Sequence, residues 1–364
     1  MWGSRVERIA TIVAMVILVG CQASGGAPTP ISSESAPTES ATASGSPSAP
    51  AATSAPLTVG EGEPWIVFQG APLGLSFIRP DGSGNHVILG PPGDQVHPDW
   101  SPDGARIAYV QVTDVASDIW ITDPKGTNPA PMLTEYPAAL AGLFWDNPAW
   151  SPDGSQIATV AYEGHPQNVL PSRSLLSIVD VQSGEVVMAG ELASSDGTLH
   201  SFPRWSPDGA SLVVVLDRFS GEEYLGGTLA IVRRTETGWS EPVPITEVVD
   251  SPRADWHPTD DLIVYCTNDV GGVQSTDEAS NLFTVRGDGT ELTQITDFGP
   301  GGERATQPSW TSDGRIIFTH ITGTDDEQLT VAFIGADGSD LEIAVGSNVV
   351  GTGNRPHPRL RPFR

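Results

Sequence analysis

From Trp65 onward the chain alternates short apolar runs with turns rich in Gly, Pro, Asp and Ser, and it nowhere sustains the periodicity of an amphipathic helix. The apolar runs come in sets of four. One set reads Val96 to Trp100, Arg106 to Val110, Asp118 to Thr122 and Pro131 to Thr134. The next reads Asn147 to Trp150, Gln156 to Tyr162, Leu175 to Val179 and Glu185 to Ala189, and a third Phe202 to Trp205, Ser211 to Leu216, Thr228 to Val232 and Val243 to Thr246. Asn281 to Val285 and Leu329 to Ile334 take the third place in two later sets. Runs of this length between turn-forming residues predict strands throughout.

A pentapeptide punctuates the sets. Trp-Ser-Pro-Asp-Gly occupies 100–104, 150–154 and 205–209, then changes to Trp256-His257-Pro258-Thr259-Asp260 and Trp310-Thr311-Ser312-Asp313-Gly314. Successive Trp residues are 50, 55, 51 and 54 positions apart. A repeat of about 40–50 residues built from strands and turns is what a β-propeller produces. Within the motif Pro presets a turn, Asp bonds the backbone ahead, Gly supplies positive φ, and Trp forms an apolar wedge between blades. Asp260 stands where Gly is wanted and can still visit the left-handed conformation at some strain.

The first set offers Trp65 to Phe68, Leu75 to Ile78 and Val87 to Leu89, without an innermost strand before them. The stretch Arg355 to Leu360 supplies one, with Leu360 lying 50 residues after Trp310. The expected fold is therefore all-β: a six-bladed propeller of four-stranded blades, closed by pairing the C-terminal strand with the N-terminal blade. Such closure removes exposed sheet edges.

Upstream the composition is different. Residues 1–20 read as a signal peptide, with Arg5 and Arg8 before an apolar run from Ile9 to Val19 that is too short to favour spanning a bilayer. Leu18-Val19-Gly20-Cys21 resembles a bacterial lipobox, which implies lipidation of Cys21 and anchoring to a membrane through its acyl chains. Residues 21–58 then hold the lipidated Cys and a tract of Ala, Ser, Thr and Pro without apolar periodicity, expected to be a disordered tether for a propeller at 59–364.

Charge narrows the partners. The chain has 18 Lys and Arg against 45 Asp and Glu, a net charge of −27, which repels phosphate backbones and argues against nucleic acid. Its two cysteines, Cys21 and Cys266, are not expected to pair, and Cys266 falls in an apolar strand pattern as a buried thiol. A monomer is expected.

The repeat resembles the TolB family of bacterial periplasmic propellers, whose units run Pro-x-Trp-Ser-Pro-Asp-Gly, an apolar strand, a strand ending in Asp-Gly, then Leu-Thr. Here those elements are Pro98 to Gly104, Ile107 to Val110 and Leu133-Thr134, echoed by Asp288-Gly289, Leu292-Thr293 and Asp337-Gly338. The resemblance implies a six-bladed propeller on the outer side of a bacterial membrane. TolB-like propellers also resemble the propeller halves of prolyl peptidases, but no Gly-x-Ser-x-Gly, P-loop or His-Glu-x-x-His motif is present here.

Two regions are candidate sites. The inner strands bring His97, Asp99, Arg204, Arg253, Asp255, His357 and Arg359 towards a central channel, with Arg359 beside Asp99 and Arg204 beside Asp255; alternation places the residue before each Trp and the one two earlier on one face. This set suits a small polar ligand or a cation, or equally an internal ion-pair network. The face carrying the longer loops offers Tyr136, Phe144, Trp145, Tyr162 and Tyr224 as contacts for a protein or glycan. No cofactor is expected, although calcium or another divalent cation would suit the acidic loops with Asp269, Asp277, Glu278, Asp325, Asp326 and Glu327. Some propeller-fold polysaccharide lyases hold a metal with channel histidines, which here would be His97, His257 and His357. The expected function is a membrane-anchored binding or scaffolding module for an envelope protein or glycan. The alternative is an enzyme acting on polysaccharide or peptide at the channel mouth.

Overall fold

The computed structural model describes residues 63–362, apart from 71–73, 91, 165–169, 251, 268, 271–272, 275–279, 300–302, 324–327 and 346–356. The signal peptide, Cys21 and the tether lie outside the described residues.

The described chain is a ring of six antiparallel four-stranded blades, with one 3₁₀ turn at Ser194–Asp196 as its helical content. From the axis outward, blade II comprises Asp94–Trp100, Ile107–Val112, Ser117–Thr122 and Ala130–Pro131. Blade III comprises Phe144–Trp150, Gln156–Glu163, Arg173–Asp180 and Val186–Ala193. In blade IV, Thr198–Trp205, Ser211–Ser220 and Glu223–Thr235 are flanked by the short strands Gly238–Trp239 and Val243–Pro244. Blade V has Arg253–Trp256, Ile263–Thr267, Asn281–Val285 and Thr293–Gln294, and blade VI has Arg304–Trp310, Ile316–Thr322, Gln328–Ile334 and Glu342–Val345.

Blade I closes the ring as its sequence requires. Ile66–Gly70, Gly74–Ile78 and His86–Leu89 receive Arg359–Leu360 as their innermost strand, with Ile66 opposite Leu360 and Val67 opposite Arg359. Arg361 extends the seal: its N–H donates to Trp65 O at 2.7 Å and its Nε to Gly104 O at 2.9 Å.

The core lies in the seams between blades. Ile66, Phe68 and Ile78 of blade I pack on Ile317, Val331 and Phe333 of blade VI, and equivalent apolar clusters fill the other five seams. Trp100, Trp150, Trp205, Trp256 and Trp310 are all buried there, as large wedges in five of the six seams, with Leu360 in the sixth. Two also pin neighbouring blades by hydrogen bonds: Trp100 Nε1 donates to Arg359 O at 3.2 Å, and Trp205 Nε1 to Ala149 O at 3.0 Å.

The motif turns repeat one design. Ser101 Oγ donates to Asp103 Oδ1 at 2.6 Å, Ala105 N–H donates to the same oxygen at 3.0 Å, and Gly104 takes φ 64°. Ser151 with Asp153, Ser206 with Asp208, and Thr311 with Asp313 reproduce this bond. Asp260, which could have taken the left-handed conformation, does not have positive φ. Its turn keeps the backbone bond that the other motif turns make, here His257 N–H to Leu262 O at 2.7 Å, but without the Ser–Asp lock. Cys266 is a buried thiol.

Candidate functional site

The inner strands do not reach the channel by simple alternation. Pro98, Pro148, Pro203, Pro308 and Pro358 each stand two residues before the Trp position, whereas blade V has Ala254 there. Proline cannot donate a ladder hydrogen bond, and a bulge accommodates it. Pairing with the second strand accordingly slips between Val96 and Asp99, Asp146 and Ala149, Ser201 and Arg204, and Thr306 and Ser309. The residues preceding the five prolines, His97, Asn147, Phe202, Gln307 and His357, all have positive φ, between 44° and 56°. Each such backbone costs on the order of 1 kcal/mol, which the surrounding blades must offset. Blade V keeps continuous register from Arg253 opposite Cys266 to Trp256 opposite Ile263, and Arg253 has no positive φ.

The result is two layers of side chains across the axis. The first consists of the residues directly before each Trp position. Asp99 accepts from Trp150 N–H at 2.8 Å; Asp255 accepts from Trp310 N–H at 2.8 Å and from Ser309 Oγ at 3.0 Å. Arg359 Nη1 donates to Asp255 at 3.1 Å and also contacts Ser309 Oγ, while its Nε stands 3.7 Å from Asp99. Arg204 Nη1 donates to the carbonyls of Pro203 and Pro148 at 2.9 and 3.3 Å, with its Nε 3.7 Å from Asp255. Burial holds the Asp99 carboxyl above its ordinary value against the pull of Arg359, and burial together with the like charge of Arg359 brings Arg204 down to about 10.

The second layer lies behind the first. His97 Nδ1 is 2.5 Å from Asp146 Oδ1, and its ring stands edge-on to His357 at 4.6 Å and to Phe202 at 5.9 Å. Gln307 meets His357 Nε2 at 2.7 Å, and the Arg253 guanidinium lies 3.8 Å over the Phe202 ring. Burial keeps His357 neutral, its pKa well below the ordinary histidine value.

In front of the first layer opens a funnel of about 330 Å³. Its floor is Asp99, Arg204, Asp255, Ser309 and Arg359, and its wall is built from the motif Trp residues with Pro102, Pro152, Pro207, Pro258 and Pro362. His257 also lines it, edge-on to Trp310 at 4.6 Å. The funnel thus opens on the face of the compact motif turns, opposite the longer loops.

Of the channel residues expected from sequence, Asp99, Arg204, Asp255, His257 and Arg359 come together in the funnel, and His97, Arg253 and His357 form the layer behind it. The loop-face aromatics fare differently. Trp145 and Tyr162 are buried in the blade seams, Tyr162 OH donating to His200 O at 2.9 Å, so neither can meet a partner. They fold inward because each belongs to a strand whose inward face is apolar. Tyr136 stacks on Trp145 and bonds Asp118 at 2.7 Å; Phe144 packs beside the blade III–IV seam; Tyr224 bonds Asp217 at 3.2 Å and keeps a half-exposed ring. The motif's own Trp and Pro residues were missed as lining, although their position after the channel strand is the signal that places them there. Asp277, Glu278, Asp325, Asp326 and Glu327 lie outside the described residues, as does the Asp269 side chain. Among the described residues no group of three His, Cys, Asp or Glu is placed to hold a metal ion.

No protein-family model matches the chain, and no curated protein sequence aligns with it. Solved structures do. TolB from Acinetobacter baumannii superposes with a TM-score of 0.59 at 14% identity, over 83% of this chain and 68% of that one. A protein from Agrobacterium tumefaciens assigned as TolB superposes at 0.53 and 17% identity, over 84% of this chain and all of its own. A puromycin hydrolase superposes at 0.52 and 19% identity, over 79% of this chain and only 46% of the hydrolase. At these identities the likeness is one of architecture: this chain has the TolB-like six-bladed β-propeller fold.

Proposed function

We propose that this protein is a binding module of the bacterial cell envelope, tethered through lipid on Cys21 to the outer side of a membrane and presenting its channel funnel to a protein or glycan. One observation carries the reading: the funnel is a preformed concavity whose floor is already charge-balanced and fixed by hydrogen bonds to the backbone. Pre-organised polar groups beneath an apolar wall favour recognition, since little ordering is left to be done on binding. Three hydroxyls of the lining support binding over catalysis: Ser309 is bonded to Asp255, and Ser151 and Thr311 are held by their own turn aspartates. The fold shared with TolB proteins is compatible with an envelope location.

A second reading has one observation in its favour. The buried His97–Asp146 pair is the arrangement that orients an imidazole for proton transfer, so an enzyme acting on polysaccharide or peptide at the channel stays in view.

Two measurements test the proposal. Cell fractionation should find the protein with membranes, and Cys21→Ser should release it; an unchanged membrane pool would remove the anchor. Incubating the full chain with polysaccharide and peptide panels should return every probe unmodified, whereas product formation would replace the binding reading with the enzymatic one.

A further inference from the structure

We infer that the funnel takes a neutral sugar, whose hydroxyls enter between the arginines and aspartates of its floor. This deepens the binding reading above and rests on it. The floor pairs are held apart: Arg359 Nε and Asp99 Oδ1 are separated by 3.7 Å, and so are Arg204 Nε and Asp255 Oδ1. That distance is within range of charge attraction and beyond a hydrogen bond. Among the described residues, Asp99 Oδ1 and Asp255 Oδ1 accept no hydrogen bond, the backbone bonds of both carboxylates going to Oδ2. Arg204, 9% exposed, donates none from Nε. The four side chains still keep 11% to 15% of their surface open, and the funnel is what they face.

A hydroxyl fits such a gap with a single oxygen, accepting from a guanidinium and donating to a carboxylate. Two neighbouring gaps ask for a ligand with several hydroxyls. A charged group fits neither. A carboxylate or phosphate would face Asp99 and Asp255, an ammonium would face Arg204 and Arg359, and each would leave an unbalanced charge in a largely desolvated floor.

The mouth selects in the same direction. Asp103, Asp153, Asp208, Asp260 and Asp313 sit in the turns whose Pro102, Pro152, Pro207, Pro258 and Ser312 line the funnel. Hydrogen bonds from Ser151 and Ser206 hold the Asp153 and Asp208 carboxyls below their ordinary range, favouring the ionised form of these two. With a net charge of −27 behind it, the collar repels anions. The Trp edges and Pro rings of the wall offer apolar surface to the C–H face of a sugar ring. The volume of about 330 Å³ is the room of roughly eleven waters, enough for a mono- or disaccharide unit.

The test is calorimetric titration of the detergent-solubilised full chain with maltose-, cellobiose- and chitobiose-series oligosaccharides, with digalacturonate, and with end-capped neutral tripeptides. One neutral sugar series should bind, its affinity constant within about twofold between low and roughly 0.5 M salt. Arg204→Gln should weaken it at least about tenfold. Ser312→Tyr, an exposed change at the mouth that leaves the floor intact, should weaken it as well, so the result does not hinge on one variant folding. Binding of digalacturonate or tripeptide in place of neutral sugars, or of no probe at all, would overturn the sugar assignment alone. A sugar bound equally well by both variants would place it elsewhere and overturn the assignment too. Turnover of a probe would overturn the binding reading beneath it.

Discussion

Replacing Arg359 by methionine removes one charge from the floor while keeping an unbranched stem and the backbone pairing that closes the ring. Arg359 is the link between both aspartates, at 3.1 Å from Asp255 and 3.7 Å from Asp99. Its loss leaves Arg204 alone against two mostly buried carboxylates. Breaking a buried pair from one side costs about 3–5 kcal/mol, and the lower figure applies here because the three side chains retain 12% to 15% exposure. At about 2.1 cal/mol/K of unfolding entropy per residue over about 300 residues, roughly 3 kcal/mol lowers Tm by about 5 °C. The pH dependence has a definite sign. Burial already raises the Asp99 carboxyl, and Arg359 is the largest influence pulling it down, so the variant raises it further. A carboxyl raised in the folded state favours folding below its unfolded value of about 3.9, and that contribution is lost as pH rises through the folded value. The deficit of Arg359→Met is therefore greatest near neutrality and shrinks towards pH 4. Thermal unfolding followed by tryptophan fluorescence at neutral and acidic pH measures both. A Tm loss under about 1 °C at neutral pH, or a deficit that grows on acidification, would refute the reasoning.

Further outcomes are expected elsewhere in the ring. Trp205→Phe should cost about 1 kcal/mol more than Trp150→Phe in denaturant melts, because Trp205 Nε1 bonds Ala149 O whereas Trp150 Nε1 has no hydrogen-bond partner among the described residues. Gly104→Ala should destabilise by about 1 kcal/mol more than Gly154→Ala: both have positive φ, but a Cβ at 104 would meet Arg361 Nε at 2.9 Å and Pro362 O at 3.1 Å in the closing segment. Burial brings His200 down to about 4, so the stability it contributes is present above about pH 6.5 and lost as pH falls towards 4. His200→Gln should flatten that acid limb by up to roughly 3 kcal/mol, read from urea midpoints between pH 7 and 4.5; an unchanged limb would show that His200 titrates normally.

The architecture was legible because its determinants are local and repeated. The motif turns combine Ser or Thr, Asp and Gly in order, most with Pro after the Ser, each Trp fills a seam, and Leu360 stands at the Trp spacing that identifies the closing strand. The ring of Asp99, Arg204, Asp255 and Arg359 was legible for the same reason, since adjacency around a closed ring follows from strand order. What was not legible is the level and direction of each side chain. The prolines before the Trp positions go with a bulge in the inner strands of blades II, III, IV and VI and with positive φ at His357 in blade I, so two layers replace one alternating face. Trp145 and Tyr162 misled for a different reason: an aromatic near a strand end reads the same whether it packs into a seam or faces solvent, and only the neighbouring blade decides.

The most direct test of the funnel as the binding site is reversible occlusion. Ser312→Cys places a thiol at the exposed mouth, Leu225→Cys places one near the opposite face, and the native Cys266 is buried. Each is coupled through a disulfide to a bulky thiol reagent, titrated with the sugar and peptide panels, and titrated again after reduction. Binding lost on labelling at 312, restored by reductant and untouched by labelling at 225 is the predicted result; binding that survives at 312 and disappears at 225 would move the site to the long-loop face and contradict it.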